Sequence, residues 1–135
     1  MKDLEKIVTK ELLRKVLPKE IENLSEDFSF YIDDDYVVFR DEGETLFDYN
    51  IYKFAFKCKE WAYKSRYDIW SITWGVVEFH NIEKSYGTKR ITEGTEIGAI
   101  IKACGWILEN GIQEENRLQL QEDLTEYIKL IKGGL

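Results

Sequence analysis

Residues Asp68 to Asn81 read Asp-Ile-Trp-Ser-Ile-Thr-Trp-Gly-Val-Val-Glu-Phe-His-Asn. No other stretch of the chain constrains the fold as much. Side chains of an extended backbone alternate between two sides, so a period of two in aromatic and β-branched residues marks a strand. Trp70, Ile72, Trp74 and Val76 fall on one side; Ile69, Ser71, Thr73, Gly75, Val77 and Phe79 fall on the other. The run predicts one long central strand whose Trp70 and Trp74 face lies under helices. Because Trp is also enriched at interfaces, the competing expectation is an exposed aromatic platform.

The flanking segments supply those helices. Leu4, Val8, Leu12 and Val16 recur every four residues, which predicts an amphipathic first helix. Pro18 should end it and open a short second helix through Leu24. Phe28, Phe30 and Ile32 then alternate into a strand, and Asp33-Asp34-Asp35 forms a turn, since short carboxylates bond their own backbone. Val37 and Phe39 mark the returning strand. Gly43, within Asp41-Glu42-Gly43-Glu44, offers a second tight connection, followed by a shorter strand over Thr45 to Tyr49.

At Asn50 the period changes. Ile51, Phe54, Ala55, Cys58, Trp61, Ala62 and Ser65 follow helical spacing behind an Asn N-cap, which predicts a helix to Arg66. After Asn81 to Lys84, a polar turn, Tyr86 to Thr92 reads as a weaker edge strand guarded by Lys89 and Arg90. Thr95 caps an apolar helix over Glu96 to Asn110, which Asn110-Gly111 should stop. A last helix over Gln113 to Lys132 carries the stripe Leu120, Leu124, Ile128 and Ile131, joined by Tyr127. Glu114 and Glu115 open this helix and Lys129 and Lys132 close it.

The fold class is therefore α+β: a mostly antiparallel sheet of four to five strands covered by N-terminal and C-terminal helices, in a single domain of 135 residues. Lys57-Cys58-Lys59-Glu60-Trp61 and Lys102-Ala103-Cys104-Gly105-Trp106 both lie on helices that follow paired strands. Two ββα units are the expectation this raises, although the Cys-to-Trp spacing differs by one residue.

Chemistry is sparse. With a single His and no Cys-x-x-Cys, zinc is not expected. The Asp33-Asp34-Asp35 turn, with Asp41, Glu42 and Glu44 near it, has oxygen ligands for a hard cation but not the spacing of a calcium loop. Cys58 and Cys104 sit on apolar stripes and read as small hydrophobes rather than nucleophiles. Gly87-Thr88-Lys89 lacks the glycines of a phosphate loop. No cofactor is expected. The one constellation on which an enzyme could be built is Glu78 with His80, lining a pocket at the end of the opening strand. His80 is also the one side chain suited to a switch near neutral pH.

Recognition surfaces are better supported. Tyr52, Phe56 and Tyr63 lie off the core stripe of their helix, interleaved with Lys53, Lys57, Lys59 and Lys64; the plain expectation is that the C-terminal helix covers them. A net charge of −7 opposes direct binding to nucleic acid or to an anionic membrane. The charged start lacks the apolar core of a signal peptide, and two cysteines suit a reducing compartment, so the expected location is cytoplasmic. The function expected is that of a small acidic, non-enzymatic binding or regulatory protein acting through protein contacts, homodimerisation among them. In its specific form, carboxylates over Glu20–Asp35 and Asp41–Asp48 stand in for phosphates and occupy the basic nucleic-acid groove of a partner. The interaction residues expected are Asp33, Asp34, Asp35, Tyr52, Phe56, Tyr63, Glu78 and His80.

Overall fold

The computed structural model describes residues 4–83 and 87–133, with side-chain environments left out for 112–121. Its elements run α1 (Leu4–Ile7), α2 (Lys10–Val16), β1 (Ser29–Asp33), β2 (Tyr36–Asp41), β3 (Glu44–Asn50), α3 (Ile51–Lys64), β4 (Tyr67–Thr73), β5 (Val76–Asn81), β6 (Lys89–Thr92), α4 (Glu96–Trp106) and α5 (Ile112–Gly133). The fold is α+β, but the sheet is not single. Two separate three-stranded antiparallel sheets form, ordered β1-β2-β3 and β4-β5-β6. Each is a meander followed by a helix, so the unit is βββα rather than ββα. The third strand of the first sheet is expected from the sequence, whereas the second sheet gains its third because the expected long strand divides into β4 and β5. The chain divides into two compact units between Gly105 and Trp106.

The first sheet follows its turn chemistry. Asp33 pairs with Tyr36 across Asp34-Asp35, and Asp34 takes φ +47°. Asp41 pairs with Glu44 across Glu42-Gly43, with φ of +53° and +82°. Two positive φ values give the hairpin turn whose twist matches that of the strands. Phe30, Phe39 and Phe47 stand in one cross-strand row. Phe39 and Phe47 stack at 4.7 Å, and Phe28 tilts against Phe39 at 6.1 Å. This row faces the core: Phe28, Val37 and Phe39 are buried. Each such side chain contributes about 1.5–3 kcal/mol through burial.

The opening stretch is not one long strand. It is the hairpin β4–β5, turning at Trp74-Gly75 with Gly75 at φ +68°. The alternation survives the turn for a geometric reason. Thr73 faces Val76 across it, which exchanges odd for even positions, and the register shift between Ser71 and Thr73 exchanges them back. Beyond that bulge, Ile69 faces Phe79 and Ser71 faces Val77. The two faces expected from the sequence are therefore real, but the core takes the other one. Ile69, Val77 and Phe79 are buried with Tyr67, whereas Trp74 is 80% exposed, Ile72 is exposed and Trp70 is half-buried. Edge strand β6 begins at Lys89; Tyr86 and Lys84 lie outside the described residues.

The helices depart from expectation in three places. The first is broken: Thr9 caps α2, its hydroxyl accepting from the Leu12 N–H at 3.1 Å. The segment after Pro18 forms turns, held by Ile21 N–H to Leu17 O and Leu24 N–H to Ile21 O, rather than a second helix. Asn110-Gly111 does not stop α4. Ile107–Gly111 takes a π-helical turn, the Asn110 amide donates to Trp106 O, and α5 follows.

The cap of α3 is as expected. Asn50 Oδ1 accepts from Tyr52 N–H at 2.9 Å and Lys53 N–H at 3.2 Å. Thr95 does the same for Gly98 N–H at 3.0 Å in α4. Helix α3 touches α2, β3 and β4, burying Ile51, Phe54, Ala55, Cys58 and Ala62. Helix α4 buries Ala99, Ile100, Ile101, Ala103 and Cys104, and the Cys104 thiol donates to Cys58 O at 3.4 Å. Within its own unit, α5 leaves Leu124, Tyr127, Ile128, Leu130 and Ile131 exposed; Glu114, Glu115 and the Leu120 side chain lie outside the description. Among the described residues no helix is long and apolar enough to cross a membrane.

Candidate interaction surfaces

The interaction residues expected from the sequence lie on three different surfaces. The first is the outward side of the β1-β2-β3 sheet. Register places Tyr31, Val38 and Asp48 in one row and Asp33, Tyr36 and Asn50 in the next. Directly opposed residues in a sheet share a face, and diagonal neighbours lie about 7–8 Å apart. Tyr31 and Tyr36, 42% and 43% exposed, therefore stand close together on one side of the sheet, bordered by Asp33 and Asp48. Asp34 and Asp35 continue the border at the turn, and both are exposed. Beneath the tyrosines, Val38 is buried. Sequence reasoning singled out the three aspartates but missed Tyr31 and Tyr36. Their positions were legible, because both fall out of phase with the core residues Phe30, Ile32, Val37 and Phe39.

Not every nearby carboxylate is available to a partner. Asp41 accepts from the Ser25 hydroxyl at 2.5 Å and from Ser25 N–H at 2.8 Å. Those two hydrogen bonds, the hydroxyl first, hold its carboxyl below the usual Asp range. Its role is to tie the segment before β1 to the end of β2.

The second surface is one side of α3. Tyr52, Phe56 and Tyr63 are 53%, 64% and 63% exposed, so no element of their own unit covers them. Their spacing of four and seven residues aligns them along the helix, and Phe56 and Tyr63 border an open depression with Lys59, Glu60 and Lys64.

The third is the outward side of the β4-β5-β6 sheet, where Glu78 and His80 lie. Glu78 Oε1 accepts from Arg90 Nη2 at 2.6 Å and Nε at 3.1 Å. The His80 ring meets Trp70 edge-on at 5.2 Å. His80 Nδ1 is buried without a hydrogen-bond partner among the described residues. The Glu78 carboxylate is thus already engaged by a guanidinium. Trp74, at the turn, donates its indole N–H to Gly94 O at 3.1 Å while its ring stays exposed.

Cys58 and Cys104 are both buried, and burial first, then the neighbouring Cys104 thiol, pushes the Cys58 thiol well up. A neutral buried thiol is a poor nucleophile. Among the described residues no three His, Cys, Asp or Glu side chains converge to hold a metal ion.

Comparison with family models, curated proteins and solved structures gave no match.

Proposed function

We propose that this chain is a small acidic binding or regulatory protein that acts through protein contacts, and that the outward side of the first sheet is its docking face. The observation that carries the reading is the pair Tyr31 and Tyr36, both exposed on the sheet between Asp33 and Asp48. Tyrosine supplies contact area at low conformational cost, and a border of carboxylates selects a basic partner by charge complementarity. A nucleic-acid-binding groove on another protein is one such basic surface. Asp33, Asp34, Asp35 and Asp48 would take the places of its phosphates, while Asp41 is held by Ser25 and stays out of the contact.

The test compares capture from a native host lysate by the unaltered protein and by two variants, Y31A/Y36A and D33N/D48N, with Y52A/F56A/Y63A alongside. A partner on the first sheet is lost with both sheet variants and kept with the α3 variant. Capture by D33N/D48N should resemble capture by the unaltered protein in high salt, because exposed charges are screened beyond about 8 Å at physiological ionic strength. Retention of the partner by Y31A/Y36A would move the docking face elsewhere.

A further inference from the structure

A cleft of about 250 Å³ opens where the end of α2 and the Pro18 turn meet α3. Two segments far apart in sequence build it. Lys15 and Lys19 come from the first; Lys57, Glu60, Trp61 and Lys64 lie along one side of α3, at the three- and four-residue spacing of a helix face. Glu20 completes the charged lining. Four ammonium groups thus oppose two carboxylates in a chain whose net charge is −7. None of the four lysines forms an ion pair among the described residues. Like charges gathered in a concave site repel one another and concentrate anions there. The Trp61 ring is half-buried in the same wall, and Lys57 is half-buried beside it.

We propose that this cleft binds a nucleoside phosphate, its phosphates held by Lys15, Lys19, Lys57 and Lys64 and its base laid against Trp61. Lysine binds phosphate as a point charge that needs no fixed fork geometry, and an indole face stacks on any base. At about 250 Å³ the cleft is smaller than the pockets of about 300 Å³ and more that enclose drug-sized molecules, so it would hold the phosphates while the base lies on its wall against Trp61. Charge separates this ligand from a polynucleotide. The net charge of −7 opposes a long strand with its many phosphates, whereas a mononucleotide keeps its whole charge among the lysines. The site uses none of the residues of the proposed docking face.

The experiment is calorimetric titration of the full chain with ADP, AMP, pyrophosphate and inorganic phosphate at physiological salt. Indole fluorescence is followed in parallel, with W61F identifying the responding Trp. Saturable ADP binding is expected, weakened at least tenfold (about 1.4 kcal/mol) in K57A/K64A and in K15A/K19A, and unchanged in K129A. AMP should bind less tightly than ADP, and W61F should lose both the fluorescence change and the preference of ADP over pyrophosphate. Thermal melts of each variant separate lost binding from lost folding. Absence of saturable binding at millimolar ADP would overturn the proposal. So would affinity unaltered by K57A/K64A, pyrophosphate binding as tightly as ADP, or competition by an acidic peptide with no response to nucleotide.

Discussion

The two βββα units share one strand order yet treat their outward faces differently. On the second sheet the polar groups engage one another: Arg90 holds Glu78, and Trp70 meets His80. On the first, Tyr31, Tyr36, Asp33 and Asp48 face solvent without an ion pair among the described residues. Identical topology thus gives one face whose polar groups are engaged within the chain and one whose polar groups lie open. The proposed docking is therefore assigned to the second kind of face, because a carboxylate already paired must break that pair before it can meet a new cation.

The turns differ in the same way, and here the largest effect is expected. Gly75 and Gly43 both hold positive φ, at +68° and +82°. A methyl group on Gly75 would run into Glu93 O, whereas one on Gly43 would meet nothing within 4 Å. The Glu93 carbonyl is fixed where it is, because Glu93 N–H donates to Gly75 O at 2.7 Å. G75A therefore combines backbone strain with a backbone clash and should cost about 2–4 kcal/mol. G43A carries the strain alone, about 1 kcal/mol. Urea unfolding of both variants measures the difference. Equal losses would mean that the second turn is no more tightly held than the first.

That same turn marks the limit of what the sequence made legible. The first unit could be read almost residue by residue, because Asp33-Asp34-Asp35, Glu42-Gly43 and Asn50 are side chains whose local chemistry makes turns and caps. The second hairpin was hidden because its bulge after Ser71 restores the parity that its turn removes. Its turn also carries Trp74 where Asn or Asp is common. Gly75 was the remaining signal. Alternation separates two faces of a strand but does not say which one is covered, so Trp74 was placed inside while Ile69, Val77 and Phe79 took the core. Nor could Asn110-Gly111 be recognised as part of a π-helical turn, since the same dipeptide ends many helices. The candidate sites divide similarly. The aspartate turn is local and was found, whereas the lysine cleft needs two segments brought together by the packing of α2 on α3.

A smaller effect tests the contrast between the two faces directly. A double-mutant cycle with E78Q and R90A should give a coupling of about 0.5–1 kcal/mol. This is modest because the Arg90 side chain is 64% exposed, even though that of Glu78 is only 19% exposed. The corresponding cycle on the first sheet, D33N with Y36F, should stay within about 0.3 kcal/mol, since no bond joins those side chains across the strands. Coupling of equal size on both sheets would remove the distinction between a satisfied face and an available one.

The smallest effect concerns the carboxylate of the first unit that is engaged. Asp41 is held below its ordinary range by the Ser25 hydroxyl and then by Ser25 N–H. A depressed carboxyl pKa means that the unfolded chain takes up the proton first as pH falls. The contribution of Asp41 is therefore complete above the unfolded value of about 3.9 and disappears as pH drops through the lower, folded value. D41N keeps an acceptor for Ser25 but no charge, so its stability should carry one acid-titrating group fewer. Melting temperatures of the two proteins should differ by a constant amount at neutral pH and converge in strongly acidic solution. Parallel curves through the acid range would mean that the Ser25 contact does not distinguish the charged carboxylate from its neutral form. Asp41 would then tie Ser25 by geometry alone, and its charge would add nothing to the link between the segment before β1 and the end of β2.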